Sequence, residues 1–188
     1  MNGQSLRIHS FLPHSRANGP GVRAVVWTQG CSLGCPGCYN PGTHPQTDGV
    51  AIVVDDLCGR LTALADTLEG LTISGGEPLQ QRPALLALLR RVRAETALSV
   101  LLFTGYSWDE VQRFPETAAL LANIDVLLAG RYDAAQHLGR DLRGSANKTM
   151  HFLTTRYTLA DLAAVPAAEV VIAADGQIVV SGIDPVRW

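Results

Sequence analysis

Three cysteines in one ten-residue stretch restrict this chain more than any other feature. Residues 31–40 read Cys-Ser-Leu-Gly-Cys-Pro-Gly-Cys-Tyr-Asn, with the spacing C-x3-C-x2-C. Gly30, Gly34, Pro36, Gly37, Pro41 and Gly42 surround the cysteines. Glycine loses too much chain entropy and proline lacks an amide donor, so no regular helix or strand persists through this density of both. The stretch is a loop that folds back on itself and brings three sulfurs within reach of one centre. Three thiols on one short loop cannot all pair as disulfides, which points to a metal or a metal cluster.

The chain has 188 residues, enough for one domain with a real core and too few for two comfortable ones, so residues 1–188 are expected to form a single domain. Apolar residues make up 47% and charged residues 17%, the balance of a globular chain and not of a disordered one. The net charge of −2 argues against a dedicated nucleic-acid binder, which would be basic. Residues 1–10 are polar and carry no apolar signal core. No run approaches the ~20 apolar residues of a membrane span. The expected location is cytoplasmic, where thiols stay reduced and a cysteine cluster more often means metal than disulfide. The basic residues are almost all arginine, and Lys148 is the only lysine.

Short apolar runs alternate with amphipathic ones. Leu6, Ile8 and Phe11 suit a short edge strand, and residues 22–29 (Val-Arg-Ala-Val-Val-Trp-Thr-Gln) read as a buried strand bounded by glycine. The cysteine loop follows at once, and loop sequence continues to about residue 49. Asp55 is a candidate N-cap for a helix over residues 56–68, whose Leu57, Leu61, Leu64 and Leu68 recur at helical spacing. A strand over 71–74 runs into Gly75-Gly76-Glu77-Pro78. A helix over 82–94 has Pro83 in its first turn. The next strand, 98–103, is closed by Thr104-Gly105-Tyr106. Residues 108–122 are helical in pattern, with a break expected at Pro115. Residues 124–128 and 150–153 read as strands, 131–148 as a long irregular segment, and 158–164 as a short helix. Residues 170–173 and 177–180 read as a hairpin around Asp175-Gly176.

This alternation predicts an α/β fold with a mostly parallel sheet. About five or six strands are too few to close an eight-stranded barrel, so an open, partial β/α barrel is expected. The cysteine loop, residues 75–78 and residues 104–106 each follow a strand, and sites of parallel α/β folds form at those C-terminal strand ends.

Taken alone, the cysteines admit three chemistries. Structural zinc wants four closed ligands, and His44 could supply the fourth. Cys58 falls within a helix beside an apolar face and reads as a small core residue. A redox pair would use Cys35-Pro-Gly-Cys38, but the Tyr-Asn-Pro-Gly that follows is a poor helix start. In a [4Fe–4S] cluster, three thiolates leave one iron open, which suits chemistry at the cluster more than electron carriage.

With C-x3-C-x2-C after one strand and Gly-Gly-Glu-Pro after another, the chain resembles radical S-adenosylmethionine (SAM) enzymes. Gly19-Pro-Gly-Val-Arg23, Trp27-Thr-Gln-Gly-Cys31 and Cys35-Pro-Gly-Cys-Tyr-Asn-Pro41 are similar to the glycyl-radical activating enzymes. Phe103-Thr-Gly-Tyr106, Ile124-Asp-Val-Leu127, Leu142-Arg-Gly-Ser-Ala-Asn147 and Gly176-Gln-Ile-Val-Val-Ser-Gly182 narrow the likeness to the activators of anaerobic ribonucleotide reductase.

The resemblance implies a radical SAM oxidoreductase. Cys31, Cys35 and Cys38 would bind a [4Fe–4S] cluster whose open iron is chelated by SAM. One electron then cleaves the sulfonium to a 5′-deoxyadenosyl radical, which abstracts hydrogen from a backbone glycine of a partner glycyl-radical enzyme. A flavodoxin or ferredoxin-type protein would donate the electron. The carbonyls of Gly75 and Gly76 would accept from the SAM ammonium. Glu77 would accept from it too, or act as a helix N-terminal carboxylate. Gly37 and Tyr39 would flank the adenine, or Tyr39 would shield the cluster. Thr104 would contact ribose or carboxylate, or cap a helix. Ile178 and Gly182 would form the adenine wall, or an ordinary hairpin. Arg143, Ser145, Asn147 and Lys148 would face the open side. Two positions depart from the pattern: Asn18 and Ala129 stand where such enzymes tend to carry an acidic residue. Those departures leave room for the same core acting on a small molecule or peptide.

Overall fold

The computed structural model describes residues 4–172 and 175–183. In chain order the strands are β1 (Ser5–Ser15), β2 (Arg23–Thr28), β3 (Val50–Val53), β4 (Gly70–Gly75), β5 (Ser99–Thr104), β6 (Val126–Ala129), β7 (His137–Arg140), β8 (Arg143–Ser145), β9 (Thr149–Phe152), β10 (Ala168–Ile172) and β11 (Ile178–Gly182). The α-helices are α1 (Val54–Leu64), α2 (Arg82–Glu95), α3 (Trp108–Gln112), α4 (Thr117–Leu121) and α5 (Leu159–Ala163). Among the described residues, seven strands form one sheet in the order β3-β1-β2-β4-β5-β6-β9. Its centre, β2-β4-β5-β6, is parallel. The flanking pairs β3-β1, β1-β2 and β6-β9 are antiparallel. The fold is mixed α/β with a mostly parallel central sheet.

The alternation of side chains along each central strand sorts the core. Ala24, Val26, Leu71, Ile73, Val100, Leu102, Leu127 and Ala129 face a cluster built with Leu57 and Leu61 of α1, Leu85, Leu88, Leu89 and Val92 of α2, and Val111 and Leu120 of α3 and α4. The opposite face carries a smaller cluster of Leu101, Val126, Leu128, Leu142, Tyr157 and Leu162. Four helices thus cover one face, and the apolar cluster on the other lies toward the β5-β6 side.

Several expected boundaries shift for identifiable reasons. The first strand is not a short edge: β1 has 11 residues and pairs on both sides, with β3 through residues 5–8 and with β2 beyond. Strand β3 lay unnoticed because its Val-Ala-Ile-Val is short and abuts α1. Asp55 is not an N-cap; the cap position is Val53, and Asp55 and Asp56 lie in the first turn. Pro115 does break its helix into α3 and α4. Residues 131–148 are not irregular throughout, since β7 and β8 form a hairpin there. Residue 173, the end of the expected first strand of the last hairpin, lies outside the described residues.

At the N-terminal end of the parallel strands sits a buried cation. Arg23 is 0% exposed. Its guanidinium donates to Thr72 Oγ1 (2.8 Å), Ser99 Oγ (2.9 Å), and the carbonyls of Leu71 (2.8 Å), Pro20 (3.2 Å) and Ser99 (3.3 Å). It spans β2, β4 and β5, and reaches Tyr157, whose hydroxyl donates to Glu69 at 2.7 Å. Burial lowers its pKa, and Tyr157 and Glu69 oppose that loss. The fork passes over Gly70, where a Cβ would stand 2.5 Å from Nη1. Replacing Arg23 with Met is expected to strand these acceptors and to destabilise the fold by about 3 kcal/mol. Lys should recover little, because it lacks the planar fork. Urea unfolding midpoints measure both.

Candidate functional site

Three loops meet at the C-terminal ends of β2, β4 and β5. The cysteine loop leaves β2, the turn 75–81 leaves β4, and Thr104–Tyr106 leaves β5. Their backbones are laced together. The Gly76 amide donates to the Thr28 carbonyl (2.8 Å), and the Glu77 amide to the Gly30 carbonyl (2.9 Å). Gly30 and Cys31 donate to the Thr43 and His44 carbonyls at 2.8 and 3.1 Å, which closes the cysteine loop at its base.

Side chains complete the lacing. Glu77 is 0% exposed, and its carboxylate accepts from the Leu79 amide (2.9 Å), the Thr104 hydroxyl (2.8 Å) and the Gly105 amide (2.7 Å). Burial pushes its pKa up to about 7, against the pull of these donors and of the Lys148 charge. Gln80 accepts from the Ser32 amide (3.2 Å) and donates to the Ser32 and Tyr106 hydroxyls (2.8 and 3.1 Å). Gln29 donates to the carbonyls of Gly42 (3.2 Å) and Pro45 (2.8 Å), which fixes the return of the cysteine loop.

The paired glycines follow from this crowding. Gly75 has φ +102°, and a Cβ there would lie 2.5 Å from the Thr28 amide nitrogen. A Cβ on Gly76 would collide with the Gly30 carbonyl. Both positions must be bare for the β4 turn to lie against the root of the cysteine loop.

Cys31, Cys35 and Cys38 line one cavity with Gly75, Gly76, Glu77, Thr104, Tyr39, His44, Lys148 and Ile183. All three thiols are free and half-buried. Burial raises the pKa of Cys31 and Cys38. Backbone amides counter this: that of Leu33 faces Cys31, and that of Asn40 donates to Cys38 Sγ at 3.4 Å. Such N–H to sulfur bonds suit thiolates that ligate iron. Among the described residues no three His, Cys, Asp or Glu side chains converge on a single ion, as closed zinc requires. Thiolates that each bind a different iron of a cluster need no such convergence. Cys58 is elsewhere, fully buried between α1 and α2, with its thiol 3.4 Å from Glu95 Oε2.

Two further recesses adjoin this cavity. One is lined by Asn18, Trp27, Ser74, Phe103, Leu142 and Gly182, the other by His9, Trp27, Thr43 and residues 179–182 of β11. Tyr39 and Asn40 line all three. The Tyr39 hydroxyl lies 2.5 Å from His137 Nδ1 of β7, and its ring packs on Tyr132 at 4.7 Å. The β7-β8 hairpin crosses this ring so closely that a Cβ on Gly144 would lie 2.7 Å from it.

The remaining sequence candidates fall in varied places. Gly37 (φ +70°) faces Ala134 and Tyr132 on the outer side of the loop. Ile178 is 60% exposed at the far end of β11, and Gly182 and Ile183 line the cleft instead. Ser145 accepts from the Asp133 amide (3.2 Å), and Asn147 donates to the Arg131 carbonyl (2.9 Å), so both hold their own segment together. Arg143 contacts Asp141 at 3.4 Å. Asn18 is buried and donates to the Ser15 and Ser181 hydroxyls at 2.7 and 2.6 Å. Ala129 closes β6 and is buried. Lys148 is the residue that sequence reasoning undervalued. It reaches the cysteine cavity, and its being the only lysine was the available signal.

The chain is similar to several known proteins. A family model described as a 4Fe-4S single cluster domain matches residues 17–151. The anaerobic ribonucleoside-triphosphate reductase-activating protein of Vibrio cholerae serotype O1 is 34% identical over 156 residues, 79% of this chain and 99% of its own. The protein of the same name from Escherichia coli K12 is 32% identical over 155 residues, with the same coverage. That of enterobacteria phage T4 is 30% identical over 144 residues, 74% of this chain and 90% of its own. Among solved structures, QueE from Escherichia coli is similar with a TM-score of 0.45 and 18% identity, over 55% of this chain and 53% of that one.

Two outcomes follow from the packing. Gly76→Ala is expected to displace the base of the cysteine loop, lowering both the melting temperature and the iron and sulfide retained after anaerobic reconstitution. The second concerns Glu77. An unfolded glutamate titrates near ~4.3. Folded, Glu77 titrates at about 7. Between these values the native state holds a proton that the unfolded chain has lost, so this group's contribution to stability is fully present below the unfolded pKa and is lost as pH rises through 7. The stability of the cluster-free wild type relative to Glu77→Gln should therefore fall between pH 5 and pH 8 in urea titrations.

Proposed function

The chain belongs to the family of anaerobic ribonucleoside-triphosphate reductase-activating proteins, and we propose that it is a radical SAM activase in which Cys31, Cys35 and Cys38 hold a [4Fe–4S] cluster. The observation that carries this reading is the cavity at the strand ends. It gathers these three thiols with the Gly75–Glu77 backbone, while Cys58 stays in the core. The donor set fits a cluster with one iron left open. When bound, the cluster supplies the electron that splits SAM into methionine and a 5′-deoxyadenosyl radical, which takes a hydrogen atom from a backbone glycine of an anaerobic ribonucleotide reductase.

The chain's own residues bind, orient and exclude water. Gly75 and Gly76, which line the cavity, would offer their carbonyls as acceptors to the SAM ammonium. Glu77 positions their turn by accepting from the Leu79 and Gly105 amides and the Thr104 hydroxyl, so Thr104 acts through Glu77 in this arrangement. Tyr39 walls the cavity beside Cys38, and Gly37 lets the loop bend there. Gly182 and Ile183 form the apolar wall beyond it, with Ile178 further out on the same strand. Residues 1–188 act as a single radical SAM core. The helices on one face of four parallel strands support an open, partial β/α barrel whose inner face carries the cleft.

The partner enzyme completes the enclosure of an open cleft. The electron comes from a flavodoxin or ferredoxin-type protein in the cytoplasm. No described helix is long and apolar enough to cross a membrane, and the reading involves neither membrane nor nucleic acid.

Anaerobic incubation with dithionite, SAM and the reductase should give a glycyl-radical signal by electron paramagnetic resonance, with 5′-deoxyadenosine formed. Cys31→Ala, Cys35→Ala and Cys38→Ala should each abolish both products, and Cys58→Ala should abolish neither. Zinc in place of iron, or no 5′-deoxyadenosine from the wild type, refutes the assignment.

A further inference from the structure

We propose that Lys148 is a positioning residue that sets the reduction potential of this centre: its ammonium stands as a held positive charge beside the thiolates and favours the reduced state. This rests on the cluster reading above. Lys148 immediately precedes β9, and its side chain turns into the cavity that Cys31, Cys35 and Cys38 line. Its Nζ donates to the Gly130 carbonyl at the end of β6, which tethers the charge. Among the described residues it forms no ion pair with a carboxylate. Burial lowers its pKa, and the charges of Cys35, Glu77 and Cys38, on which its own field falls, oppose that loss.

The other charges near the thiols are weaker competitors. Arg131 also acts on Cys35, but its guanidinium is forked onto both oxygens of Glu110 at 2.7 and 3.0 Å, and its side chain is 45% exposed. Its charge is therefore compensated and screened by water. Glu77 is the acidic side chain of the cavity among the described residues, and its raised proton affinity weakens its opposition near neutral pH. Reduction adds one electron, and so one negative charge, to the cluster. No bond is made or broken in that step, and the electron comes from an external low-potential reductant. A nearby cation in a partly dry cavity stabilises the added charge.

The test uses wild type, Lys148→Met, Lys148→Gln, Lys148→Arg and Arg131→Met, each reconstituted anaerobically and assayed for iron and sulfide. The cluster is then titrated potentiometrically with dithionite, without SAM, and the reduced signal is read by electron paramagnetic resonance. Lys148→Met and Lys148→Gln should shift the midpoint to more negative potential. Lys148→Arg, which keeps the charge, should stay near wild type, and Arg131→Met should move less than Lys148→Met. An unchanged midpoint in an intact neutral variant overturns the proposal, as does an equal shift in Lys148→Arg. If neither neutral variant assembles a cluster that wild type does assemble, Lys148 is a structural support of the loop and the proposal also fails. A wild type that assembles no cluster refutes the underlying reading instead.

Discussion

A single buried carboxylate joins the three strand ends on which the site is built. Glu77 sends its own amide to the base of the cysteine loop and receives donors from its own turn and from the end of β5. A carboxylate with no solvent exposure is costly unless its lone pairs are satisfied, and here two amides and a hydroxyl satisfy them. The lacing holds only if the intervening backbone lies in contact, which is why the two residues before Glu77 have no side chains. The first cysteine is thus referenced to a parallel sheet, a stiff support, although it sits on a loop.

The two ends of that sheet solve opposite problems. At the N-terminal end, Arg23 crosses β2, β4 and β5 with its donors matched to hydroxyls and carbonyls, and Gly70 leaves the space. The guanidinium's donors are spent within the fold. At the C-terminal end, by contrast, three cysteines, two glycines and Lys148 line a shared cavity. The fold's stability and its chemistry are kept some five residues apart along the same strands, as the parallel α/β arrangement allows.

Much of this was legible in the chain itself. Uniformly apolar strands, the leucine spacing of α1 and α2, and the break at Pro115 follow from local rules, whereas the cysteine spacing alone left three chemistries open until the other motifs were set beside it. The strand-end position of the three motifs could be read as well, because each follows directly on an apolar run. What escaped was non-local. Strand β3 is recognisable only by its partner β1. The β7-β8 hairpin has too little periodicity to announce itself, since its turn alone, at Leu142, enters a core, while Gly144 of β8 lies against Tyr39 and Tyr132. Ile178 and Gly182 lie on one strand, yet only the latter reaches the cleft, and no pattern within the strand says where the cleft begins. The roles of Gly75 and Gly76 were sought in ligand contact, whereas their first duty is clearance for Thr28 and Gly30.

Tyr39 has a consequence wider than any one pocket. Its ring is wedged between the cysteine loop and the hairpin that passes over Gly144, and it borders all three recesses. It is a junction, not a wall of one chamber. A displacement of that one ring would therefore reshape all three recesses together.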